Sequence, residues 1–115
     1  MISQRNRFHG HNSLNFVYRK GRSVRADYFG LRYAPSKRED YRLAVVVSKK
    51  VSKQAVVRNR IRRRIYEAVR LIKADSNNAW RYDIVITVQS PEVAEIPYDE
   101  LGAAVQAALQ KANIL

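Results

Sequence analysis

An α+β sandwich, with helices packed on a small mixed sheet, is the fold this sequence predicts. Three observations predict it. Residues 24–34 and 42–48 carry strand patterns, as do residues 82–88, YDIVITV. Val57, Ile61, Ile65, Ala68, Val69 and Ile72 recur at helical spacing, and Leu101, Ala104, Val105, Ala108, Leu109 and Ala112 do so again near the end. The helices interrupt the strands, in the order α-β-β-α-β-α. With 115 residues and neither a repeat nor a linker, the chain reads as one domain, residues 1–115.

Residues 1–11 are polar and read as a flexible basic arm containing Arg5, Arg7, His9 and His11. Asn12 or Ser13 is placed to cap a short helix, Leu14 to Lys20, which Gly21 ends. Leu14, Val17 and Tyr18 share one face of it, and Phe16 lies away from them. In the strand 24–34, Tyr28, Gly30, Arg32 and Ala34 face one way and Phe29, Leu31 and Tyr33 the other. Pro35 opens a polar turn, and RLAVVVS, residues 42–48, fits a buried strand. These two strands are expected to pair as a hairpin. Residues 49–54 lead into a helix at about 55–73, closed by the loop 75–78. Trp80 and Tyr82 lead into the strand 82–88. SPEVAEIP reads as a loop, and Pro97, Asp99 and Glu100 suit the first turn of a helix reaching about residue 113.

Charge is the strongest functional signal. The net charge is +12, and it is polarised. Residues 1–73 hold 20 basic and 4 acidic side chains, whereas residues 74–115 hold 2 and 6. From Lys49 to Arg64 there are eight basic residues and no acid. A chain polarised in this way has a cationic face, and its partner is expected to be a polyanion. The absence of cysteine excludes a disulfide scaffold and a thiolate metal site. With no apolar run of about 18 residues and no apolar leader, the chain is expected to be cytoplasmic, with no membrane partner.

Catalytic chemistry is hard to find. There is no glycine-rich phosphate loop, and the acids are dispersed. A stand-alone nuclease would have to be built on His9 or His11, and neither has a visible oriented partner. No catalytic residue and no protein-held metal are expected.

Binding chemistry is abundant. On the helix at about 55–73, the apolar stripe points inward, with Arg58 and Arg64 at its edges. Asn59, Arg60, Arg62, Arg63, Tyr66 and Arg70 sweep round the remaining arc. Guanidinium groups pair bidentately with phosphate and stack on bases. A second candidate surface interleaves Phe16, Tyr18, Tyr28 and Tyr33 with Arg19, Lys20, Arg22, Arg25 and Arg32, a mixture suited to unpaired nucleotides.

The segment AVVRNRIRRRIYEAVR, residues 55–70, resembles the bacterial ribonuclease P protein component. Arg58-Asn59-Arg60 stands as that family's RNR signature. VVVSKKVSKQAV before it matches the family's strand, SKK turn and AV pattern, and FVYRKGRSV, with Phe16 and Gly21, is similar to its first helix. The resemblance covers about residues 5–110.

It implies a compact sandwich with a left-handed crossover at the RNR helix, against the usual hand. It implies a subunit of a ribonucleoprotein whose catalytic RNA removes the 5′ leader of precursor tRNA, with Mg²⁺ bound mainly by the RNA. Arg58, Asn59, Arg60, Arg62, Arg63, Tyr66 and Arg70 would then contact the catalytic RNA, with Ser48, Lys49, Lys50 and Lys53 of the SKK turn. Leu14, Phe16, Tyr18, and Arg32 or Tyr33, would line a cleft for the single-stranded leader. Two departures stand out. Arg64 replaces a usual aliphatic residue, which suggests a less buried helix edge. Tyr66 replaces a usual arginine and is expected to stack on RNA. The alternative reading is a ribosomal or ribosome-associated RNA-binding protein.

Overall fold

The computed structural model describes residues 11–115, so the expected basic arm and His9 lie outside the described residues. Its elements are α1 (His11–Lys20), β1 (Arg22–Arg25), β2 (Phe29–Pro35), β3 (Arg42–Val46), α2 (Ala55–Ala74), β4 (Tyr82–Val88), a 3-10 turn (Pro91–Ala94) and α3 (Tyr98–Lys111). The four strands form one sheet in the order β1-β2-β4-β3.

Three details differ from the sequence expectation. The stretch 24–34 is not one strand. It breaks at Ala26-Asp27-Tyr28, where the Ala26 N–H donates to the Phe29 carbonyl at 3.0 Å, and β1 folds back on β2. The hairpin is therefore β1–β2, not β2–β3. β4 enters between β2 and β3, antiparallel to the first and parallel to the second, so α2 is the crossover of a parallel pair. The physical reason lies in β4 itself: residues 83–86 are buried on both faces, which suits a central strand. Finally, α1 begins at His11, ahead of the residues expected to cap it.

The sheet buries both faces unequally. Phe29, Leu31, Leu43, Val45, Ile84 and Ile86 join Ile61, Ile65, Val69, Trp80, Leu101, Val105 and Leu109 in the main core under α2 and α3. On the other face, Val17 of α1 meets Ala34, Ala44 and Val85 in a small cluster, with Leu14 packed against it. Small residues there let α1 approach closely. Gly21 completes that approach, because a Cβ at this position would lie 2.8 Å from the Tyr33 carbonyl and closer still to that of Val17. α1 covers only part of its face, and the uncovered remainder becomes a cleft.

Candidate nucleic-acid interface

α2 presents its cations from a fixed support. Ile61, Ile65, Ala68 and Val69 are buried beneath it, while Asn59, Arg60 and Arg63 are exposed. Arg62 donates to Asn59 Oδ1 at 2.6 Å, which orients both side chains on one patch. Arg58 donates back to the Ser52 carbonyl at 2.9 Å and ties the helix to the preceding turn. In that turn the Ser48 hydroxyl accepts from the Lys50 N–H at 3.3 Å, and Ser48, Lys49, Lys50 and Lys53 are all exposed. No acid stands in the first turn of α2, and Gln54 makes no side-chain cap. The positive helix end and its open N–H groups thus add to the lysines. Among the described residues, Lys49, Lys50, Lys53, Arg60 and Arg63 form no ion pair.

Two residues of this helix are not on that patch. Tyr66 is buried, with its hydroxyl 3.5 Å from the Leu43 carbonyl on β3, so it is a core residue and not a surface for stacking RNA. Arg64 is also buried, which overturns the expectation of a looser edge. Its guanidinium donates to the carbonyls of Val93 and Ile96 and lies 4.5 Å from the centre of the Tyr98 ring. One cause explains both. α2 is walled by β3 on one side and by the 3-10 turn and α3 on the other, so it buries a wider arc than its apolar stripe marks. Two long side chains with polar tips reach across to main-chain carbonyls at the rims. Arg70 keeps some exposure but is held by Glu67, with Nε donating to Oε2 at 3.1 Å. That guanidinium draws the Glu67 carboxyl down to about 2.

The uncovered end of the α1 face is a cleft of about 480 Å³ whose lining includes Tyr18, Ser23, Arg25, Arg32, Thr87 and Gln89. Arg32 donates to the Tyr18 carbonyl at 3.0 Å, and its guanidinium lies 5.7 Å from the centre of the Tyr18 ring. The structure thus chooses between the two β2 candidates. Arg32 faces the cleft, while Tyr33 points through the sheet to the other face, edge-on to Tyr82 with ring centres 5.7 Å apart. Leu14 is half-buried against the small cluster. Phe16 is exposed on α1, about 200° round the helix from Tyr18. Tyr28 is tied to α3, donating to Glu100 Oε1 at 2.9 Å. Ser23, Thr87 and Gln89 were not anticipated. Their signal was register: Ser23 is the cross-strand partner of Arg32, and Thr87 that of Gly30.

Nothing among the described residues resembles an acid–base or metal constellation. No group of three His, Asp or Glu there could hold a metal ion. The buried carboxylate Asp83 is engaged by Arg42, with bonds of 2.9 and 2.7 Å, and so serves as a cross-strand tie between β3 and β4. No helix is long and apolar enough to cross a membrane.

Ordered cations on a rigid helix, and a cleft walled by a ring and a guanidinium on the α1 face of the sheet, are the features of a protein that binds RNA. The chain belongs to the Ribonuclease P protein family, whose model matches residues 2–113. It is 44% identical over 99 residues to the ribonuclease P protein component of Roseiflexus sp. strain RS-1, an alignment covering 86% of this chain and 79% of the relative. The same component of Pseudanabaena sp. strain PCC 6903 is 36% identical, covering all of this chain and 97% of the relative. The RNase P protein of Staphylococcus aureus superimposes with a TM-score of 0.80 at 25% identity, covering 95% of this chain and 96% of that one. That of Thermotoga maritima, at 21% identity, shares the fold with a TM-score of 0.79 over 91% of this chain and 96% of the other. The family supplies the protein subunit of ribonuclease P, an endoribonuclease of tRNA 5′-end processing, in association with the ribonuclease P RNA. That membership sets aside the ribosomal reading.

Proposed function

We propose that this chain docks on the catalytic RNA through the α2 patch and the SKK turn, and holds the 5′ leader of precursor tRNA in the cleft beside α1. The observation that carries the reading is the patch itself: Asn59, Arg60 and Arg63 exposed over a buried spine, with no acidic partner among the described residues. Several fixed phosphate contacts confer strong, salt-dependent binding without reading sequence. The leader is single-stranded, and Tyr18 and Arg32 offer it a stacking face and a fork-shaped donor.

In this reading the chemistry of hydrolysis belongs to the RNA and to Mg²⁺ bound mainly there, as the family resemblance implies. The protein's part is to bind, to orient the leader, and to screen repulsion between closely packed phosphates. It acts in the cytoplasm, where precursor tRNA is made. The test is cleavage of a precursor tRNA by the catalytic RNA at low Mg²⁺, with and without the protein. Stimulation by the protein is expected, with the requirement for Mg²⁺ lowered. No stimulation would sink the reading.

A further inference from the structure

Part of the cation–aromatic surface lies outside the cleft. Lys20, Arg22 and Tyr33 fall on the other side of β1–β2, where they meet Tyr82, Pro35 and Asn113 around a notch of about 290 Å³. We propose that this notch binds one unpaired nucleotide of the RNA partner, at a site separate from both the α2 patch and the cleft. The proposal rests on the RNA-binding reading above.

Three groups with distinct chemistry converge there. Tyr33 and Tyr82 stand edge to face at the ends of β2 and β4, and both are only half-buried, so ring surface remains open. It is open because α3 stops short. Asn113 takes a left-handed backbone (φ 59°), its N–H donates to the Gln110 carbonyl, and the Ile114 N–H donates to that of Leu109, both at 3.0 Å. This closing turn satisfies the last carbonyls of α3 and ends the helix beside the rings instead of over them. Lys20 and Arg22 flank Gly21 and are exposed, and Arg22 is the cross-strand partner of Tyr33. Neither forms an ion pair among the described residues, and no acid lines the notch. The exposed Asn113 amide can donate and accept at a base edge.

A bare phosphate has no use for the rings, and an acidic peptide has no use for a stacking face. A nucleotide uses the rings, the cations and the amide together. The volume is near the lower end for small-molecule sites, about 300 Å³, which suits one base. Gly30 in the cleft and Tyr33 in the notch are three residues apart on β2, about 10 Å, and on opposite faces. One nucleotide cannot occupy both, so the notch receives a different part of the RNA.

The test is a nuclear magnetic resonance titration of the full chain with a short, unstructured oligouridylate, following the ring signals of Tyr33, Tyr82 and Tyr18. Saturable shifts at Tyr33 and Tyr82 are expected. A Lys20→Ala/Arg22→Ala double variant, altered only at exposed positions, should raise the midpoint at those two rings about tenfold and leave the midpoint at Tyr18 in place. Shifts at Tyr18 without shifts at Tyr33 and Tyr82 would overturn the notch and leave the RNA-binding reading standing. No shift at any of the three would overturn both. Equal midpoints in the variant and the parent chain would remove Lys20 and Arg22 from the site and overturn the proposal as stated.

Discussion

Arg32 spans from the middle of the sheet to the last turn of α1, where its guanidinium both bonds the Tyr18 carbonyl at 3.0 Å and faces the Tyr18 ring at 5.7 Å. The bond satisfies one of the carbonyls a helix leaves open at its C-terminal end. The same contact fixes the cleft wall, because α1 and β2 cannot move apart without breaking it. Tyr18→Ala is therefore expected to cost about 1–3 kcal/mol of leader binding, the usual range for losing one base–ring stack. Arg32→Lys keeps the charge but loses the planar fork and should weaken leader binding in the same direction. The measurement is affinity for precursor tRNA against mature tRNA. Loss restricted to the leader-bearing RNA supports the cleft, and equal loss for both would remove it.

Arg64 makes a contrasting prediction. Its guanidinium serves the carbonyls of Val93 and Ile96 beneath Tyr98. Arg64→Met fills similar space and leaves two acceptors without a donor, so stability should fall by about 2 kcal/mol or more. The denaturation midpoint should drop with little change in the m-value. The salt dependence of RNA binding by the folded variant should stay as it was. A flatter salt dependence would mean that Arg64 reaches RNA after all.

Glu67 restrains Arg70. Its folded carboxyl sits at about 2, below the ordinary range of about 4.3 for a free glutamate. A depressed folded value makes the contribution fully present above about pH 4.3, and it fades as pH falls towards 2. Both side chains are partly exposed, so the effect should shrink in salt. Glu67→Gln is expected to flatten the acid limb of the stability profile. It should also free Arg70, tightening RNA binding and steepening its salt slope by up to about 0.9. Unchanged RNA affinity would show that Arg70 does not reach the RNA.

Local pattern made some elements legible and left others hidden. Helix α2 was expected at about 55–73 and runs Ala55–Ala74, and β4 occupies the residues read from YDIVITV. Both follow from periodicity along one segment. The pairing of β3 with β4 is written in neither strand's own pattern, because the choice of neighbour is made by packing across the sheet; only the crossover that the resemblance implied at the RNR helix pointed to it. β1 was hidden because Val24 to Ala34 alternates well enough to pass as one strand, and only the bend at Ala26-Asp27-Tyr28 divides it. The parity of Arg32 and Tyr33 was legible, and which face was the cleft was not, since that depends on where α1 lies. Arg64 and Tyr66 were misjudged for one reason: a helix walled on two sides buries residues outside its apolar stripe, and a long side chain with a polar tip suits that position as well as it suits solvent.

The central claim is that the exposed α2 patch is the RNA contact, and the dependence of RNA affinity on salt tests it most directly. Arg60 and Arg63 are exposed and make no ion pair among the described residues, so Arg60→Ala/Arg63→Ala should leave the fold intact. Each phosphate neutralised contributes about 0.7–0.9 to the slope of log affinity against log salt. The double variant should bind the catalytic RNA more weakly, with a slope shallower by about 1.4–1.8. A slope identical to that of the parent chain would place the RNA on another surface and contradict the account.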